Sequence, residues 1–238
     1  MSETMLMILE VSFDILYLLI IWTMVVIMFK RRRNHPKPET SIWLAGFFLL
    51  AFGDTGHVGF RVAAYALGDI SSALTIGSSS IILVGIGSLA TAYTITVLYM
   101  LLMEAWASRN EVKKGMTYKV VMLLGIARMI IMIFPGNAWN SMYTPYTWSL
   151  LRNTPLTIMG IIIAVSFLRS GKKHSDVFQK RLAWCIFVSF GFYLPVILFV
   201  RFIPMLGMLM MPKTVAYLFM AGYALKEVFP NSQKSSLS

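Results

Sequence analysis

Cysteine is almost missing from this chain, with Cys185 standing alone. A single thiol excludes a disulfide framework and a cysteine metal cluster, and leaves Cys185 as a small buried apolar residue. Charge is scarce too. Only 13% of the 238 residues are charged, against about 25% in an ordinary soluble domain. Histidine is limited to His35, His57 and His174. Of these only His57 falls in an apolar stretch, and one imidazole with one nearby carboxylate is too small a ligand set for zinc. Glu10 and Asp14 could contribute to a hard-cation site, but the bases expected around them argue against it. No metal or other cofactor is expected. The basic residues are not interleaved with aromatics as in a nucleic-acid-binding face, and no internal repeat marks an inverted-repeat transporter.

What the chain has instead is long apolar runs. Hydrophobic residues make up 58% of it, and seven segments near spanning length can be read at 7–29, 42–67, 79–107, 118–134, 146–168, 182–203 and 206–228. The fold class expected is an all-α integral membrane protein, a single seven-helix domain over 1–229 with a polar, mobile cytoplasmic tail at 230–238.

Positive charge orients the spans. Lys30, Arg31, Arg32, Arg33 and Lys37 follow the first. Arg109, Lys113, Lys114 and Lys119 follow the third. Arg169, Lys172, Lys173, Lys180 and Arg181 follow the fifth, and Lys226 and Lys234 the seventh. The alternate connections, around 71–80, 136–147 and 204–207, carry no basic residue. By the positive-inside rule the N-terminus is out and the C-terminus in, in a multi-pass protein of the cell inner membrane. Offset by Glu39, Glu104, Glu111, Asp176 and Glu227, these bases account for the whole formal net charge of +11. The excess therefore signals topology and attracts anionic lipid headgroups. The first run lacks preceding basic residues and has its cluster behind it, which describes a retained anchor rather than a signal peptide.

Against this apolar background the ionisable residues stand out. Asp54, His57 and Arg61 share one face of the second span at i, i+3 and i+7. A charge in hydrocarbon costs at least about 2.5–3.5 kcal/mol, so such groups are expected to face the protein interior. Glu10 and Asp14 fall in the outer half of the first span, Arg128 midway along the fourth, Arg152 and Asn153 in the outer turns of the fifth. Arg201 is near the outer end of the sixth, and Lys213 in the outer third of the seventh with Tyr217 one turn below. Five bases against three acids leave a positive surplus, which favours an anionic ligand. For Arg152 and Arg201 the competing reading is snorkelling to the interface; for the Asp54 triplet it is a polar clamp between helices.

Other features point to the same depth. Pro155, Pro195 and Pro212 interrupt three successive spans in their outer halves, freeing the carbonyls of Leu151, Gly191 and Met208. Kinks there would open a cup to the exterior, although prolines are also common in membrane helices generally. Trp139, Tyr143, Tyr146 and Trp148 crowd one outer connection, as an interface belt or as a lid. Gly53, Gly56 and Gly59 allow close helix packing. Ser88, Thr91 and Thr94 of the third span offer hydroxyls to other helices or to a ligand.

The expected function is therefore binding, sensing or moving a small anionic or lipid-headgroup ligand in a polar cavity in the outer half of the bundle. Its lining is expected to include Arg61, Arg128, Arg152, Asn153, Lys213 and Tyr217. The alternative is an intramembrane isomerase or hydrolase acting on a lipid-like substrate, with Asp54 and His57, one turn apart, as the acid–base pair. A lesser alternative is a retinal-type receptor using Lys213. Seven spans and FGFYLP (190–195), which resembles an aromatic–Tyr–Pro pattern of microbial rhodopsins, favour it; the lack of an acid midway along the third span opposes it.

The segments FGDTGHVGFR (52–61), FPGNAW (134–139), LLRNTP (150–155) and GMLMMPKTVAY (207–217) together resemble a family of small, uncharacterised bacterial membrane proteins of about this length. The resemblance runs from the second span to the seventh. It implies a seven-helix architecture and supplies no activity or site assignment.

Overall fold

The computed structural model describes residues 3–76, 79–141 and 144–231. Tyr143, Lys234 and most of the expected tail lie outside the described residues. Among the described residues there are seven α-helices: α1 (Glu3–Arg32), α2 (Pro38–Ala66), α3 (Leu83–Arg109), α4 (Met116–Ile133), α5 (Tyr146–Lys173), α6 (Val177–Phe199) and α7 (Met210–Glu227). All are long and apolar enough to cross a membrane, α7 together with the 3₁₀ turn Pro204–Leu209 that leads into it. Many large apolar side chains point outward, among them Leu19 (63% exposed), Leu123 (67%), Trp184 (61%) and Phe219 (58%). Such a surface suits an apolar solvent and suggests a multi-pass membrane protein.

The core is built from Ile21, Phe47, Leu50, Leu98, Tyr99, Leu102, Phe167 and Ile186, all buried. The α2 and α3 helices pack most intimately because small residues let their backbones meet. A Cβ at Gly87 would lie 2.9 Å from the His57 Cα, and one at Gly53 would collide with the Thr94 side chain. Gly59, by contrast, faces open space, so the expected glycine stripe is a packing surface only in part. Thr94 spends its hydroxyl on the carbonyls of Ala90 and Thr91 within its own helix.

Three features differ from the expectation. β1 (Ala73–Ile76) pairs antiparallel with β2 (Ser79–Ile82), so α3 starts at Leu83 and not at residue 79. Gly68, at φ +140, follows the end of α2, and β-branched residues then flank a Gly-Ser pair, a pattern that favours strands joined by a turn. Pro155 and Pro195 lie inside α5 and α6, but Pro212 sits in the first turn of α7. There the missing N–H breaks no helical hydrogen bond. Arg201 lies on an exposed turn after α6.

The basic connections gather at one end of the bundle. Arg109, at the end of α3, bridges Glu39 of α2 (3.2 Å), Asp176 before α6 (2.9 Å) and Glu227 of α7 (3.0 Å). Its guanidinium lies over the Phe178 ring at 4.7 Å. Asp176 also caps α6 by accepting from the Gln179 amide (3.1 Å). Partial burial pushes the Asp176 carboxyl up, but hydrogen bonds from Arg109 and Gln179 outweigh it and hold the group below its usual range.

Candidate functional site

A cavity of about 630 Å³ occupies the half of the bundle remote from the Arg109 cluster. Its walls come from the first halves of α1, α3 and α5, the last halves of α2, α4 and α6, and the start of α7 with its preceding turn. Asp54, His57, Arg61, Arg128, Arg152, Asn153, Lys213 and Tyr217 all line it, as do Glu10, Asp14, Ser88 and Thr91. Arg201 does not, so the cavity holds four strong bases and three carboxylates, and the positive surplus is one rather than the expected two.

The side chains differ in what they have left to offer. Arg128 is 2% exposed. Its Nε donates to the Arg152 carbonyl (2.8 Å), its Nη1 to the Ala92 carbonyl (2.8 Å) and the Thr96 hydroxyl, and its Nη2 reaches Asn153 Oδ1 at 3.4 Å. Asn153 Oδ1 also accepts from Tyr193 (2.9 Å). Arg128 and Asn153 both line the cavity, and these bonds also tie α3, α4, α5 and α6 together. Tyr217 is buried and shares a 3.3 Å hydrogen bond with Tyr99, so it forms the floor.

The spacing-based pairing of Asp54 with His57 is not made. Asp54 accepts from Tyr17 (2.6 Å) and Thr91 (3.1 Å), while His57 Nδ1 is buried without a hydrogen-bond partner among the described residues. The rigid α2 backbone holds the two side chains one turn apart, and donors from α1 and α3 reach Asp54 instead. Replacing Tyr17 by phenylalanine should cost about 1–3 kcal/mol of stability, the usual cost of stranding a buried acceptor. Thr91→Val, which removes the longer bond, should cost less. Denaturant unfolding of the purified protein measures both, and equal stability of Tyr17→Phe and wild type would contradict this account of Asp54.

Arg61 forms an ion pair with Glu10, leaving its buried Nε without a partner. Arg152 stacks over the Trp139 ring (4.3 Å) and its Nη2 reaches the Thr144 hydroxyl at 3.5 Å, while its buried Nη1 has no hydrogen-bond partner among the described residues. Lys213 Nζ lies over the Tyr193 ring at 4.1 Å and near that of Tyr217 at 5.9 Å. It makes no ion pair among the described residues, and its charged neighbours are Asp54 and Arg128. Arg152 and Lys213 are therefore the cations with the most unspent capacity. Trp139 is held for its role as a wall. Asn137 donates to the carbonyls of Ile131 (2.7 Å) and Phe134 (3.0 Å) at the end of α4, Ala138 takes a left-handed conformation, and Trp139 Nε1 donates to Met132 (2.9 Å). Tyr146 and Trp148 pack elsewhere, against Leu198 and Phe134.

Tyr17, Tyr193 and the Arg152–Trp139 stack were not anticipated as parts of the site. Tyr17 had a visible signal, since it continues the Glu10–Asp14 face of α1 at i+7. No group of three or more His, Cys, Asp or Glu side chains suited to a metal occurs among the described residues. Comparison with protein-family models, curated proteins and solved structures finds no match.

Proposed function

We propose that the chain is an inner-membrane protein, N-terminus out and C-terminus in, that binds, senses or moves a small anionic or lipid-headgroup ligand in this cavity. The orientation follows from the basic connections gathered at the Arg109 end, which the positive-inside rule assigns to the cytoplasm. The cavity then belongs to the outer half. A bacterial inner membrane is the setting that the sequence resemblance implies.

The observation that carries the ligand class is the pair of unspent cations. Arg152 Nη1 and Lys213 Nζ, from different helices, border the same hollow, and neither residue makes an ion pair among the described residues. Burying such groups beside an empty space is costly unless an anion completes them. Aromatic rings beneath each cation hold it in place without neutralising it. Acid–base catalysis by Asp54 and His57 has less support, because Asp54 is engaged by Tyr17 and Thr91.

Titration of the purified protein with inorganic phosphate, followed by calorimetry, tests this reading. Binding should weaken at least about ten-fold in Arg152→Gln and in Lys213→Gln, as expected for loss of a charge-assisted hydrogen bond. Unchanged affinity in both variants would remove the anion site.

A further inference from the structure

The cavity's carboxylates come from α1 and α2, and its unspent cations from α5 and α7. Asp14 lies on α1, and its charged neighbours are Arg61, Glu10 and Asp54, all on α1 or α2. Arg152 and Lys213 lie on α5 and α7. Within the acidic wall the three carboxylates are not equivalent. Glu10 is paired with Arg61, and Asp54 is held by two hydroxyls. Asp14 alone makes no hydrogen bond and no ion pair among the described residues, although it lines the same hollow.

An anion by itself would satisfy Arg152 and Lys213 and leave the half-buried Asp14 carboxylate sharing the hollow with a second negative charge. Like charges that share a partly buried site repel. An occupant carrying an ammonium group towards Asp14 removes that conflict and gives each wall its complement. Two cations approaching from separate helices suit a tetrahedral oxyanion, which accepts from several directions, better than a planar carboxylate that one guanidinium fork can satisfy.

Building on the anion-site reading, we infer that the ligand is an amino-phosphate zwitterion, with its phosphate between Arg152 and Lys213 and its ammonium on Asp14. Both a free aminoalkyl phosphate and an aminophospholipid headgroup have this chemistry. The cavity volume lies within the usual range for small-molecule sites, about 300–1,000 Å³.

Two paired comparisons on the purified full-length chain test the inference. The first sets phosphoethanolamine against inorganic phosphate by calorimetry. The second sets phosphatidylethanolamine against phosphatidylglycerol by native mass spectrometry of protein taken from vesicles containing both. In at least one pair the amine-bearing member should be favoured about ten-fold, and Asp14→Asn should abolish that preference while phosphate or phosphatidylglycerol still binds. Preference in the first pair identifies a free zwitterion, and preference in the second a lipid headgroup. Equal binding within both pairs overturns the zwitterion and leaves the anion site standing. A preference that survives in Asp14→Asn overturns the role of Asp14. Failure of every phosphate-bearing probe to bind overturns both readings. The wild-type comparisons decide the matter even if Asp14→Asn does not fold.

Discussion

Arg128→Met should lower the unfolding free energy of the bundle by about 3 kcal/mol or more, and Arg128→Lys should be at least as damaging. The size follows from the number of charge-assisted hydrogen bonds lost, each worth roughly 1.5–3 kcal/mol, partly offset by relief of the buried charge. The comparison of the two variants is the informative part. Arg128 places donors on α3 (Ala92 and Thr96) and on α5 (Arg152 and Asn153) at once, which a planar fork does and an ammonium point charge does not. Lysine would keep the desolvated charge and lose the bridging geometry. Denaturant unfolding in detergent measures both. If Arg128→Lys were as stable as wild type, charge alone would matter and the tie between helices would be dispensable.

Arg109→Met should cost about 2–3 kcal/mol near neutral pH, between the worth of an exposed ion pair and that of a buried one. The loss exceeds that of a single pair because Glu39, Asp176 and Glu227 would be left facing one another. Adding Asp176→Asn to Arg109→Met should therefore restore part of the stability. The pH dependence has a defined sign. The Asp176 carboxyl is held below its ordinary value in the folded state, so its contribution is present above the unfolded value of about 3.9 and is lost as pH falls through the lower folded value. Wild type should lose stability on acidification below about pH 4, with a smaller loss in Arg109→Met. An equally steep acid limb in both proteins would mean that the cluster does not hold this end together.

Both residues show what a sequence can and cannot convey here. Scarcity of charge, seven apolar runs and the alternating placement of bases made the helices legible, because burial cost and span length act on composition directly. The spacing of Asp54, His57 and Arg61 placed them on one face of α2, since helical periodicity fixes the direction of a Cβ. Partner choice was not legible. Asp54 bonds Tyr17 and Thr91 because α1 and α3 bring hydroxyls to it, and that depends on inter-helix register. Register in turn rests on contacts such as Gly87 against the His57 backbone, whose closeness no local pattern announces. The same gap hid the difference between Arg128, whose donors are used by the protein, and Arg152, with an Nη1 left over. Position along a helix placed Arg201 at the cavity's depth, but the chain leaves α6 before reaching it and the side chain sits on a turn outside. The strand at 79–82 was read as the start of the third span because isoleucine serves a strand and a helix equally well over so short a length.

The two walls of the hollow are mounted differently. The acids Glu10 and Asp14 ride on α1, whose principal neighbours are α2 and α7, whereas the arginine wall is fastened through Arg128 to helices on either side of it. Yet α1 is itself tied to α2, through Glu10 with Arg61 and Tyr17 with Asp54, so its carboxylates are held in place as well. An occupant would therefore meet a pattern of charge set in advance, not one moulded around it on entry.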